Sequence, residues 1–114
     1  MVECFQASQR ALLLCENVTS LEKDLIHALS RRHPYDEAPD DFSIWTDNYA
    51  AAMREIYKKY PDNPDVCALF AEAIMSRTPW QLWDLDTGSP TPGASTFEAQ
   101  GVLEKAIKTV ALNG

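Results

Sequence analysis

Apolar positions recur at steps of three, four and seven in five stretches of the chain, which is how side chains sharing one face of an α-helix are spaced. Near residues 3–15, Cys4, Phe5, Ser8, Ala11, Leu12 and Cys15 form one stripe, with Gln6, Gln9 and Arg10 opposite. The next stretch, near 20–32, opens on Thr19-Ser20-Leu21-Glu22, a capping box in which the threonine hydroxyl accepts from first-turn N–H groups. It turns Leu21, Leu25, Ile26 and Leu29 inward. Arg31, Arg32 and His33 suit the negative end of that helix dipole, and Pro34 stops the helix. A third helix near 44–59 has Trp45, Tyr49, Ala52, Met53, Ile56, Tyr57 and Tyr60 on its stripe. Asn63 caps a fourth near 64–77, with Pro64 at a first position whose N–H needs no partner and Val66, Phe70, Ala71 and Ile74 inward. The fifth, near 95–110, opens on a second capping box at Ser95 to Glu98 and aligns Ala99, Val102, Leu103, Ala106, Ile107 and Val110.

Two segments break the pattern. Residues 34–43 are rich in Pro and Asp, and residues 78–94 hold Pro79, Pro90, Pro92, Gly88 and Gly93, which excludes a regular helix or a central strand. No segment sustains period-two alternation, so no sheet is expected and the chain reads as all-α. Trp80 and Trp83 in the second loop have two compatible readings. They pack the loop back over the helices, or they line a pocket with Tyr35, Trp45 and Asp86.

Charge narrows the partners. Ten Lys and Arg against 17 Asp and Glu give a net charge of −7, and no block is strongly basic, so nucleic acid and anionic lipid are not expected partners. The longest apolar run, residues 11–15, is too short to span a bilayer, and the N-terminus lacks the basic segment of a secretory signal. Cys4, Cys15 and Cys67 lack the close spacing of a zinc or redox site and read as small hydrophobes in a reducing compartment. A cytoplasmic protein without a cofactor is the expectation.

The helices also repeat. Those ending near Ala11, Ile56 and Ala106 occupy equivalent places, and the connectors at 16–19 and 61–64 correspond, which makes a helix-pair array. Cys67, Phe70, Ala71 and Ile74, followed by Ala99, Leu103 and Ala106, resemble the two halves of the tetratricopeptide repeat, with the interval between them longer than the pattern by about 16 residues. Tyr49, Met53, Ile56 and Pro61 keep the second-half spacing in the preceding unit. More narrowly, residues 48–108 are similar to an internal segment of long tetratricopeptide-type proteins of bacteria and fungi. The run carries Tyr-Pro-Asp-Asn-Pro-Asp at 60–65, Phe-Ala-Glu-Ala at 70–73, Pro-Trp-Gln-Leu-Trp at 79–83 and Pro-Gly at 92–93.

That resemblance implies a right-handed array of antiparallel helix pairs forming one domain over 1–114, with both ends reading as cut faces of a solenoid. It implies a protein-binding or assembly module and carries no common reaction. It places Asp65, Ala68, Glu72 and Met75 of the fourth helix on the concave surface. Relatives that clamp chaperone C-termini use Lys, Arg and Asn at such positions, and Ala68 and Glu72 do not fit that clamp. An acidic groove with an adaptable Met suits a basic or amphipathic helical segment. The alternatives are a small enzyme with a pocket under the 78–94 loop, walled by Trp80, Trp83 and Asp86, and a truncated solenoid that pairs with a second copy through its ends.

Other candidate chemistry reduces to local structure. Asp86-Thr87-Gly88-Ser89 matches the tetrapeptide of aspartic proteases, whose mechanism needs two such aspartates sharing a proton across a β-rich dimer; between helices it reads as a solvated turn. Asp84, Asp86 and Gly88 follow part of a calcium loop, but the glycine comes one position early and Ser95 stands where a bidentate Glu belongs. His27 and His33 fall on different sides of their helix, so no metal site is expected. Asn17-Val18-Thr19 is a formal glycosylation sequon in which Thr19 already serves as a cap.

Overall fold

Helix dominates the chain: α1 (Val2–Leu14), a 3-10 turn (Cys15–Asn17), α2 (Ser20–Arg32), α3 (Ser43–Lys59), α4 (Pro64–Met75) and α5 (Thr96–Asn113). The computed structural model describes residues 2–79 and 81–113, with side chains through 111. Among them no helix is long and apolar enough to cross a membrane. The expectation of no sheet needs one correction. Trp83–Asp84 (β1) and Ser89–Pro90 (β2) pair as an antiparallel ribbon, with Trp83 opposite Pro90 and Asp84 opposite Ser89. Strands this short leave no alternating pattern to read, and Pro90 is tolerated because both strands are edges.

Internal contacts divide the chain into two compact units, Met1–Ile56 and Tyr57–Gly114. In the first, α1 packs on α2 and on the 3-10 turn. Thr19 accepts from the Glu22 N–H at 3.2 Å and so starts α2. The buried positions of the pair are Ser8 and Ala28, both small, as a close helix approach requires. Ser8 satisfies its hydroxyl by donating to the Phe5 carbonyl at 2.8 Å. Two inward assignments are corrected. Leu29 is exposed and Ala28 takes the core position, and Cys4 is exposed while Cys15 is buried. On α3, Trp45, Tyr49, Ala50, Met53 and Ile56 are buried, and the Arg32 guanidinium lies 4.9 Å above the Tyr49 ring.

The second unit is built on α4. Asn63 caps it by accepting from the Asp65 and Val66 N–H groups at 2.9 and 3.2 Å, and Pro64 fills the first turn. Val66, Cys67, Phe70, Ala71, Ala73 and Ile74 are all buried, Phe70 to 1% exposure. Phe70 stacks on Tyr57 with ring centres 4.9 Å apart. Lys105 joins this cluster, its Nζ 5.8 Å from the Tyr57 centroid and 3.6 Å from an Asp62 carboxylate oxygen. α4 ends at Met75, short of the expected residue 77: Ser76 still makes the helical N–H bond to the Glu72 carbonyl, and beyond it the Thr78 N–H turns back to the Met75 carbonyl at 3.2 Å. α5 packs along α4 and continues past residue 110.

Phe70→Ala is expected to lower stability by about 3–5 kcal/mol through the cavity it leaves, and Asn63→Ala by about 1 kcal/mol through loss of the cap. Urea unfolding followed by circular dichroism measures both. A Phe70→Ala variant no less stable than Asn63→Ala contradicts a core centred on α4.

Candidate functional site

The fifth stripe is wider than the surface α4 offers it. Ala99 and Val102 are buried and Leu103 and Ala106 half-buried, but Ile107 is 68% exposed and Val110 50% exposed. The outer part of the stripe therefore forms one wall of a groove whose other wall is the outer face of α4. One hollow of about 480 Å³ runs between Pro64 and Ala68 on one side and Leu103, Ile107 and Val110 on the other. A second, of about 390 Å³, shares Leu103 and Ile107 and is bordered by Met75, Leu82 and Trp83. A third, of about 300 Å³, shares Met75 and Leu82 and is edged by Glu72, Ser76 and Thr78. Shared residues make the three a continuous trough. Among the described residues its lining is mostly apolar, and Glu72 and Glu104 are its charged side chains.

Both carboxylates are held in place. Ser76 donates to Glu72 Oε1 at 3.0 Å, and Gln100 Nε2 donates to Glu104 Oε1 at 3.0 Å one turn along α5. Of the residues expected on a concave surface, Ala68, Glu72 and Met75 line the trough, and Asp65 is exposed in the first turn of the same helix.

One end is bordered by the ribbon, and local chemistry explains why this loop folds. Asp84 Oδ1 accepts from the Asp86 and Thr87 N–H groups at 2.9 and 3.4 Å, and the Gly88 N–H reaches the Asp84 carbonyl at 2.8 Å. Gly88 has φ +69°, a conformation that a side chain at this position would strain. Asp86-Thr87-Gly88-Ser89 is thus an exposed turn into β2. Below it, the buried Thr96 hydroxyl donates to the Leu82 carbonyl at 2.6 Å, and the Thr91 N–H meets the same oxygen at 3.2 Å. Arg77 reaches the Ser95 hydroxyl at 3.3 Å, so Ser95 also ties the loop's base. Trp83 packs edge-on against Phe97 with centroids 5.9 Å apart, a partnership the sequence pattern did not single out.

The other pocket candidates sit differently. Trp80 lies outside the described residues. Tyr35 and Trp45 belong to the first unit, where Trp45 is buried between Tyr35, at 6.0 Å, and Phe42, at 5.6 Å and edge-on. Phe42 was hidden in a stretch read as loop. Trp83 and Asp86 belong to the second unit, Asp86 exposed on the ribbon turn.

Among the described residues no group of three His, Cys, Asp or Glu side chains is placed to hold a metal ion. His27 is exposed; His33 is partly buried, its Nδ1 has no hydrogen-bond partner, and burial followed by the neighbouring Arg32 charge lowers its pKa. The Cys67 thiol donates to the Pro61 carbonyl at 3.4 Å, and burial raises its pKa, opposite to what a thiolate nucleophile requires. The chain matches no protein-family model, no curated protein and no solved structure.

Thr96→Val is expected to leave the Leu82 carbonyl short of its strongest partner, costing about 1–2 kcal/mol and loosening the ribbon. Thermal melting together with hydrogen exchange at the Thr91 amide reads this out. Unchanged exchange at Thr91 contradicts the role given to the Thr96 hydroxyl.

Proposed function

We propose that the chain is a protein-interaction module of the tetratricopeptide type, a right-handed array of antiparallel helix pairs, and that its second unit binds a basic amphipathic helical segment or peptide. The observation that carries the reading is the mostly apolar trough with Glu72 and Glu104 as its only charged lining residues among those described. An exposed apolar strip of this length on a small protein needs a partner surface, and an acidic edge favours a cationic one. Ala71 and Ala99, at the small positions of the repeat, are buried to 0% and 2%, and small residues there let paired helices approach closely. The cysteines are free, which suits a cytoplasmic setting.

Two labelled 18-residue amphipathic peptides test it, identical in their apolar face and flanked by Lys or by Glu. Fluorescence anisotropy is expected to show binding of the Lys peptide that weakens with salt and falls at least tenfold for Ile107→Glu. This exposed substitution should leave the melting temperature nearly unchanged. Equal binding of both peptides, or no effect of Ile107→Glu, sinks the reading.

A further inference from the structure

The loop between α2 and α3 is closed by aromatic rings. Trp45 is buried on α3, and both Tyr35, with ring centres 6.0 Å apart, and Phe42, edge-on at 5.6 Å, pack on it. Both ends of the loop therefore meet at one indole, and residues 36–41 arch out between them. The second end is also tied to α3. The Thr46 N–H meets the Phe42 carbonyl at 3.0 Å, and Asp41 Oδ1 accepts from the Ser43 N–H at 2.8 Å. This staple leaves apolar surface uncovered, for Tyr35 is 65% exposed, Ile44 66%, and Phe42 is exposed beside them. Asp36, Glu37, Asp40 and Asp41 on the arch are all exposed, and the first three make no hydrogen bond or ion pair with another described residue. From Pro34 to Met53 the chain holds no Lys or Arg. The first unit as a whole has ten Asp and Glu against five Lys and Arg, so most of the chain's negative charge resides in it. α2 ends on Arg31 and Arg32, and Arg32 is drawn over the Tyr49 ring at 4.9 Å.

We propose that this stapled loop is a second docking surface, separate from the trough, and that it takes an arginine-rich segment of another protein. Exposed rings next to exposed carboxylates select the guanidinium group. It lies flat on an aromatic face, where its charge is attracted by the ring, and it grips a carboxylate through two parallel N–H groups. Lys brings the same charge without the planar stacking or the fork. The carboxylates are spread along the arch and, among the described residues, no three of them are placed to hold one metal ion. Such a spread matches cations spaced along a peptide, and charge of one sign over an exposed loop steers a segment of the opposite sign onto it.

Labelled hexa-arginine, hexalysine and hexaglutamate peptides, titrated onto the full chain by fluorescence anisotropy, test the surface. Hexa-arginine is expected to bind about fivefold tighter than hexalysine, both weakening as salt rises, and hexaglutamate not to bind. The triple variant Asp36→Asn, Glu37→Gln, Asp40→Asn should lose about tenfold for both cationic peptides. Its changes are confined to exposed side chains, so its melting temperature should stay nearly that of the parent. Tyr35→Ala should remove the preference for arginine while keeping the charge-driven binding common to both peptides. Ile107→Glu, on the trough, should leave every affinity unchanged. No binding of hexa-arginine, equal affinity for the two cationic peptides, or binding that survives the triple variant overturns the proposal. Hexa-arginine binding lost in Ile107→Glu assigns the peptide to the trough and overturns it as well. Displacement of the peptide by millimolar Ca²⁺, but not by NaCl of equal ionic strength, makes the arch a metal site instead. A dimer in sedimentation that the triple variant abolishes makes a second copy the occupant, and either result contradicts the assignment.

Discussion

Burial of one face of α4 is the constraint from which the second unit follows. Six of its side chains are withdrawn from water within a single short helix, and each large one contributes about 1.5–3 kcal/mol relative to exposure. α4 is therefore fixed in rotation about its own axis. Asn63 and Pro64 fix where it begins. With the inner face committed, Ala68, Glu72 and Met75 are left on the outer side, and they become one wall of the trough without any further determinant.

α5 is held less tightly, and that difference creates the site. Only Ala99 and Val102 of its apolar stripe reach full burial beside Thr96. A helix whose apolar arc exceeds its contact leaves the excess exposed, here Ile107 and Val110. The ribbon segment meets the start of α5, through Trp83 on Phe97 and Leu82 on Thr96, and leaves Ile107 and Val110 exposed. The same surplus that weakens the second unit as a closed core gives it an apolar face open to a partner.

Helix existence and several boundaries were legible in the sequence because they rest on local chemistry. Thr19 and Asn63 accept first-turn N–H groups in the structure, and the stripe of Val66, Phe70, Ala71 and Ile74 is buried as its spacing implies. The depth of each stripe was less legible, because it depends on which neighbour covers it. Leu29 gives way to Ala28, and the α5 stripe divides between core and surface. The ribbon was hidden for a different reason. Its two-residue strands are organised by the Asp84 side chain, Gly88 and the distant Thr96 hydroxyl rather than by side-chain alternation. Ala68, Glu72 and Met75 were expected on one face of the fourth helix from the family resemblance, whereas Leu82, Trp83, Gln100 and Glu104 join them only through tertiary contacts.

Native-state hydrogen exchange measures the α4 constraint most directly, by resolving amide protection along the chain in rising denaturant. Amides of residues 70–74 should be the slowest in the second unit and open only when that unit unfolds, while those at the ribbon and after residue 107 exchange earlier. Residues 70–74 exchanging as readily as the ribbon, at free energies well below unfolding, would contradict a unit organised around α4 and the trough derived from it.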